Sequence, residues 1–182
     1  MRVITGTARG RKLREPTNMD IRPTTDQVKE ALFNILQWDI EGRRVLDLFA
    51  GTGQLGIEAL SRGAASCLFL DESKQAIDII KENVERCGFT ANARILRTDS
   101  LGYLRSGERF DLILMDPPYG KGLEQKALEL IEEFDILAPG GIMSIETRRE
   151  TPSPVLREGY GTAKEYHYGK IKLTVITRGV ET

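Results

Sequence analysis

The sequence predicts an α/β fold, a parallel sheet with helices on both faces. Three observations lead there. Short apolar runs alternate with longer stretches whose apolar residues recur at helical spacing. One run, Val45-Leu-Asp-Leu-Phe, passes directly into Gly51-Thr-Gly53-Gln-Leu-Gly56, which reads as a buried strand, a tight glycine turn and the first turn of a helix. Arg62-Gly63, Gly88 and Pro139-Gly-Gly141 punctuate the chain where elements should end. Strict β–α alternation brings the strands parallel.

Taken in order, Arg2–Leu13 reads as a short basic hairpin with Gly6 and Gly10 near its turn. Residues 1–23 are therefore expected as a small N-terminal β-hairpin extension, and residues 24–182 as the main domain. Arg22-Pro23-Thr24-Thr25 ends extended chain and opens a helix, capped by Thr24 or Thr25. Val28, Ala31, Leu32, Ile35 and Leu36 then give an amphipathic helix over Thr25–Trp38, with Trp38 read as a packing residue. A helix over Leu55–Ser61 follows the central strand. Ser66–Asp71 is the second strand and Ser73–Cys87 the next helix. Ala93–Arg97 and Phe110–Met115 are further strands, Leu123–Phe134 a helix, and Ile142–Glu146 a fifth strand after a turn at Pro139-Gly-Gly141. Ala163–Tyr168 and Lys170–Arg178 close the chain as an antiparallel pair turning at Gly169, which makes seven strands.

A chain of 182 residues with 40% hydrophobic content forms one packed domain, or one with a small appendage. No run approaches the roughly 20 apolar residues of a membrane span, and Met1-Arg-Val-Ile-Thr-Gly lacks the apolar stretch of a signal peptide. Cys67 and Cys87 lie far apart without a Cys-x-x-Cys, so two reduced thiols are expected rather than a disulfide or a metal site. These features place the chain in the cytoplasm. The net charge of −1 hides an asymmetry: residues 1–22 and 147–182 are net basic, and the centre is acidic. That pattern suits a polyanion held at one edge, and it also suits ordinary solvated surface.

The glycine turn has a chemical use. Without side chains at Gly51 and Gly53, a flat ligand can approach the backbone, and the helix start points free N–H groups at it. The spacing matches a dinucleotide fingerprint, and Asp71 follows Gly51 by 20 residues, where an acid can bind a ribose. Asp47 argues against NAD. A carboxylate inside the strand opposes a pyrophosphate but suits a cation-bearing ligand such as S-adenosylmethionine (SAM).

Asp116-Pro-Pro-Tyr119 is the most specific signal. It follows a buried strand, on the same carboxyl rim as Gly51, Asp71 and Asp99. An exocyclic amine of a nucleobase is a poor nucleophile, because its lone pair is delocalised into the ring. Two acceptors aimed at its N–H bonds, the Asp116 carboxylate and the Pro117 carbonyl, can draw it toward tetrahedral geometry. Pro117 and Pro118 stiffen the turn and offer no competing N–H, and Tyr119 offers a stacking face.

Asp-Leu-Phe-Ala-Gly-Thr-Gly with Asp-Pro-Pro-Tyr resembles the Rossmann-like class I methyltransferases that act on exocyclic amines of DNA or RNA. More narrowly, Arg9-Gly-Arg-Lys-Leu13, Arg22-Pro-Thr-Thr-Asp26 with Glu30-Ala-Leu-Phe-Asn34, and Gly56-Ile-Glu-Ala-Leu-Ser-Arg-Gly63 are similar to the RsmD family. Those bacterial enzymes methylate N2 of one guanine in 16S ribosomal RNA of the small subunit. The resemblance covers nearly the whole chain. It implies SAM as cofactor, with Asp47, Phe49, Gly51, Thr52 and Gly53 around its methionine end. Asp71 would lie at the ribose, Asp99 and Ser100 at the adenine, and Asp116 through Tyr119 at the guanine amine. Arg9, Arg11, Lys12 and Arg22 would face RNA. No metal and no membrane are implied, and a monomer is expected. One departure is visible: relatives often carry Asp-Arg where this chain has Ser73-Lys74. Adenine-N6 methylation and RNA binding without catalysis remain alternative readings; an NAD dehydrogenase leaves Asp116–Tyr119 unexplained.

Overall fold

The computed structural model describes residues 1–17 and 24–180. Arg22, expected to face RNA, lies outside the described residues. The main elements are α1 (Asp26–Ile35), β1 (Arg44–Asp47), α2 (Gln54–Ser61), β2 (Ser66–Asp71) and α3 (Lys74–Arg86). They continue with β3 (Ala93–Arg97), α4 (Ser100–Tyr103), β4 (Phe110–Met115), α5 (Leu123–Glu133), β5 (Leu137–Arg148), β6 (Thr162–Tyr168) and β7 (Ile171–Thr177).

The strands form one sheet in the order β3-β2-β1-β4-β5-β7-β6. β1 lies inside the sheet and pairs in parallel with β2 and β4, while β7 runs antiparallel to both β5 and β6. Strand alternation splits the core in two. Val45, Phe69 and Leu112 face a cluster built with α1, α2 and α3; Leu46, Leu68 and Ile113 face a second one built with α5. Every parallel strand therefore ends on one rim, where Asp71, Asp116 and Glu146 follow apolar runs.

α2 sits unusually close to the sheet. A Cβ at Gly56 would lie 2.4 Å from Cε1 of Phe69 and 2.7 Å from Cys67 Sγ. The third glycine of the turn therefore serves helix–sheet contact rather than a ligand.

The basic N-terminal segment closes on a single antiparallel bridge, Arg2 to Lys12. Four of its other backbone donors turn to α2 instead of across a ladder. Ile4 N–H donates to Glu58 Oε1 at 2.8 Å, Thr7 N–H to the Ser61 carbonyl at 2.9 Å, and Ala8 N–H to Ser61 Oγ at 3.0 Å. Val3, Ala8 and Leu13 are buried in the core beside α1–α3.

Two expectations are corrected and one element is added. Pro139-Gly-Gly141 is not a turn before β5 but lies inside it. Phe110 pairs with Leu137 and Leu112 with Ile142, so the extra residues bulge, as a proline without an N–H and two glycines allow. Trp38 is 88% exposed rather than packed. α1 ends at Ile35, and Leu36 and Ile40 take the core positions on either side of Trp38. The third difference is an element the sequence reading did not include: after β3, Asp99 caps the short helix α4.

Candidate active site

A cavity of about 640 Å³ opens on the carboxyl rim of β1, β2, β4 and β5. Its first half is the glycine turn. Phe49, Gly51, Thr52 and Asp71 line it, with Asp99 and Ser100 at its edge. Gly51 and Gly53 hold φ of 59° and 80°, a region that disfavours a Cβ, and Gly53 leads into α2. Asp71 accepts the Gly51 N–H on Oδ2 and the Ser73 N–H on Oδ1, both at 2.9 Å. Each oxygen keeps lone-pair capacity for a diol. Asp99 is engaged likewise, accepting from Leu101 and Gly102 at the start of α4.

Asp47 stands apart from this wall. It is 1% exposed, does not line the cavity, and accepts the Gly56 N–H on Oδ2 at 3.0 Å. Burial pushes its pKa up to about 7, against the opposing Gly56 hydrogen bond. Its influence reaches the cavity through the turn it ties to β1. Asn83, fully buried on α3, braces the same turn from outside. Its Nδ2 donates to the Thr52 carbonyl at 3.0 Å, and its Oδ1 accepts the Arg14 N–H at 2.6 Å.

The second half is the Asp116–Tyr119 turn after β4. Asp116, Pro117, Pro118 and Tyr119 all line the cavity. The Arg148 guanidinium lies 5.1 Å from the centre of the Tyr119 ring. Two participants were not anticipated here. Thr24 Oγ1 sits 2.7 Å from Asp116 Oδ2 and 3.2 Å from Glu146 Oε2. Tyr119 Oη–H donates to Glu146 Oε1 at 3.4 Å. Thr25 is the helix cap, accepting the Val28 N–H, which leaves the Thr24 hydroxyl for the site. The paired threonines were the available signal for Thr24. For Glu146 it was an acid at a strand's carboxyl end, the same signal that marked Asp71. Gln54 also lines the cavity; its Nε2 donates to the Thr24 carbonyl, while its buried Oε1 has no hydrogen-bond partner among the described residues. An orphaned acceptor there suits an ammonium group.

Arg9, Arg11 and Lys12 are exposed and do not line this cavity. Arg11 and Lys12 lie by the C-terminal end of α3, where Arg11 Nη1 donates to the Arg86 carbonyl and Arg86 Nη1 to the Lys12 carbonyl. Among the described residues no cluster of His, Cys, Asp and Glu could hold a metal ion, and no helix is long and apolar enough to cross a membrane.

The comparisons with known proteins agree with this geometry. The family model described as conserved hypothetical protein 95 matches residues 1–177. YlbH of Bacillus subtilis, named as a proposed rRNA methyltransferase, is 40% identical over 85% of this chain and 86% of its own length. Ribosomal RNA small subunit methyltransferase D of Escherichia coli is 32% identical over 98% of this chain and 90% of its own. The solved structure of yhhF from Escherichia coli, named as a proposed methyltransferase, superposes with a TM-score of 0.89 at 31% identity. That match covers 100% of this chain and 99% of the other. With the glycine turn, the acid-lined rim and the Asp-Pro-Pro-Tyr wall in one methyltransferase fold, the chain belongs to the RsmD family.

Proposed function

We propose that this protein transfers a methyl group from SAM to the exocyclic N2 amine of a guanine in 16S ribosomal RNA, in the assembled or assembling small subunit. The observation that carries the reading is the joining of two walls in one cavity: Asp116–Tyr119 faces the same space as the Gly51–Thr52 turn and Asp71. The names carried by its relatives supply the RNA class. A ribosomal substrate puts the work in the cytoplasm, and a cavity complete within one chain is consistent with a monomer.

The glycine-turn residues suit SAM. Asp71 would hold the ribose diol, Asp99 and Ser100 would border the adenine, and the orphaned Gln54 oxygen would meet the amino group. When bound, the cofactor supplies an electrophilic methyl group on a sulfonium. The chain's own residues do the rest. Tyr119 stacks against the base, the Asp116 carboxylate accepts one N–H of the amine, and the Pro117 carbonyl accepts the other. Held in this way, the amine would be positioned for methyl transfer, and Asp116 would pass its surplus proton to solvent. Positioning and electrostatics dominate, with no covalent enzyme intermediate.

The test is transfer of a labelled methyl group from SAM to undermodified small subunits, free 16S RNA and duplex DNA. Label in a guanine of the subunit RNA is the expected result; label confined to DNA adenine would discard the ribosomal assignment. Exposed Arg9, Arg11 and Lys12 are proposed to contact RNA phosphates. Changing Arg9 and Arg11 to Glu should weaken RNA binding and flatten its dependence on salt, and an unchanged salt slope would remove these residues from the interface.

A further inference from the structure

The mechanism above leaves Glu146 without a task. It is 5% exposed, yet it lines the cavity at the rim end of β5. Two groups aim it. Tyr119 Oη donates to Oε1, and Thr24 Oγ1 stands between Oε2 and Asp116 Oδ2. A carboxylate accepts at several lone-pair sites at once. Glu146 and Asp116 both line one space, so together they set a row of acceptors beside the ring on which a base would stack. A row of acceptors fits a ligand edge made of donors.

Guanine offers such an edge, and adenine does not. Beside its exocyclic amine guanine carries N1–H, a donor. Beside the adenine amine lies a bare N1 lone pair, an acceptor. With Asp116 and Pro117 on the amine, the next acceptor along the wall meets position N1. We propose that Glu146 accepts the N1–H of the target guanine and thereby restricts the reaction to guanine; the assignment rests on the function proposed above. A base with a lone pair at N1 would face the buried carboxylate as acceptor against acceptor. A site built around a donor rejects analogues that lack it far more strongly than a site that merely fits shape.

2-Aminopurine separates this role from a bracing one, since it keeps the amine at C2 and replaces N1–H with a lone pair. Small subunits would be reconstituted with RNA carrying guanine or 2-aminopurine at the position labelled in the first experiment. For the unmodified protein, kcat/KM should favour guanine by about 10- to 100-fold. Glu146→Gln should lose most of the guanine rate. Its preference should fall to within about threefold or invert, because its amide can donate to a bare N1. Glu146→Asp keeps an acceptor and should retain the preference at a lower rate. SAM affinity, read by calorimetry, should stay unchanged in both variants.

A preference that survives Glu146→Gln, or a protein that takes both bases equally, would overturn the assignment and leave guanine methylation standing. Failure to label guanine in any RNA would overturn the proposed function and this assignment together.

Discussion

The two halves of the cavity are held by different means. The glycine-turn half is fastened through its backbone: Asp71 takes the Gly51 N–H, Asp47 takes the Gly56 N–H, and Asn83 holds the Thr52 carbonyl. Side chains act there as clamps on the main chain, and α2 lies so close to β2 that only glycine fits at position 56. The opposite half carries a cluster of side chains bonded to one another. Thr24, Asp116, Tyr119 and Glu146 bond to one another, and Arg148 covers the tyrosine ring. Backbone clamps fix a shape in advance, which suits one invariant cofactor. A side-chain cluster holds directed acceptors, which suits reading the edge of a base.

The sharpest way to break this division is Asp116→Ala. It should reduce methyl transfer by at least about 1,000-fold, measured as label incorporated per minute, since it removes an acceptor from the reacting amine. A loss of less than tenfold would leave the amine half without its central residue. Asp71→Ala should act on the other half. Removing the charged acceptor proposed for the ribose should weaken SAM binding about 10- to 100-fold by calorimetry, in line with the roughly 1.5–3 kcal/mol of a hydrogen bond to a charged group.

Asn83→Ala touches neither ligand but should cost about 1–3 kcal/mol of unfolding free energy. It strips partners from the Thr52 carbonyl and from the Arg14 N–H in a buried place. Denaturant titration reads that loss, and an unchanged midpoint would show that the turn stands without its outer brace.

A further effect is a pH slope. Asp47 has a folded-state pKa of about 7 against an ordinary 3.8. Below the lower value both states carry the proton. Between the two, the folded protein keeps a proton that the unfolded chain has lost, so stability falls as pH rises and levels off above about 7. Asp47→Asn can still accept the Gly56 N–H, and it should lack this slope when unfolding is compared at pH 5 and pH 8. An unaltered slope would place the titrating group elsewhere.

The halves also differed in how far the sequence foretold them. Strand β1, its glycine turn, Asp71 and the Asp116–Tyr119 turn could be read because each is contiguous: an apolar run followed by residues whose chemistry is local. Thr24 and Glu146 enter the site only through long-range packing. They are 122 residues apart in sequence and meet directly, with the Thr24 hydroxyl between the Glu146 and Asp116 carboxylates. Asp47 was legible as unusual but not in its direction, since strand alternation alone does not say that its carboxylate would turn under the turn toward Gly56. Trp38 was misplaced for a smaller reason. Its apolar character suits a helical stripe, but the helix stops three residues earlier, and Leu36 and Ile40 fill the core instead. Pro139-Gly-Gly141 has the composition of a turn, and only its pairing with β4 reveals a bulge within a longer strand.

The most direct test of the division is a calorimetric titration of SAM into Asp116→Ala and Asp71→Ala side by side, on the same preparations used for methyl transfer. The account predicts that Asp116→Ala binds SAM within about tenfold of the unmodified protein while transferring no measurable label, and that Asp71→Ala loses affinity. Loss of SAM binding in Asp116→Ala would contradict it, because the acceptor assigned to the base would then belong to the cofactor.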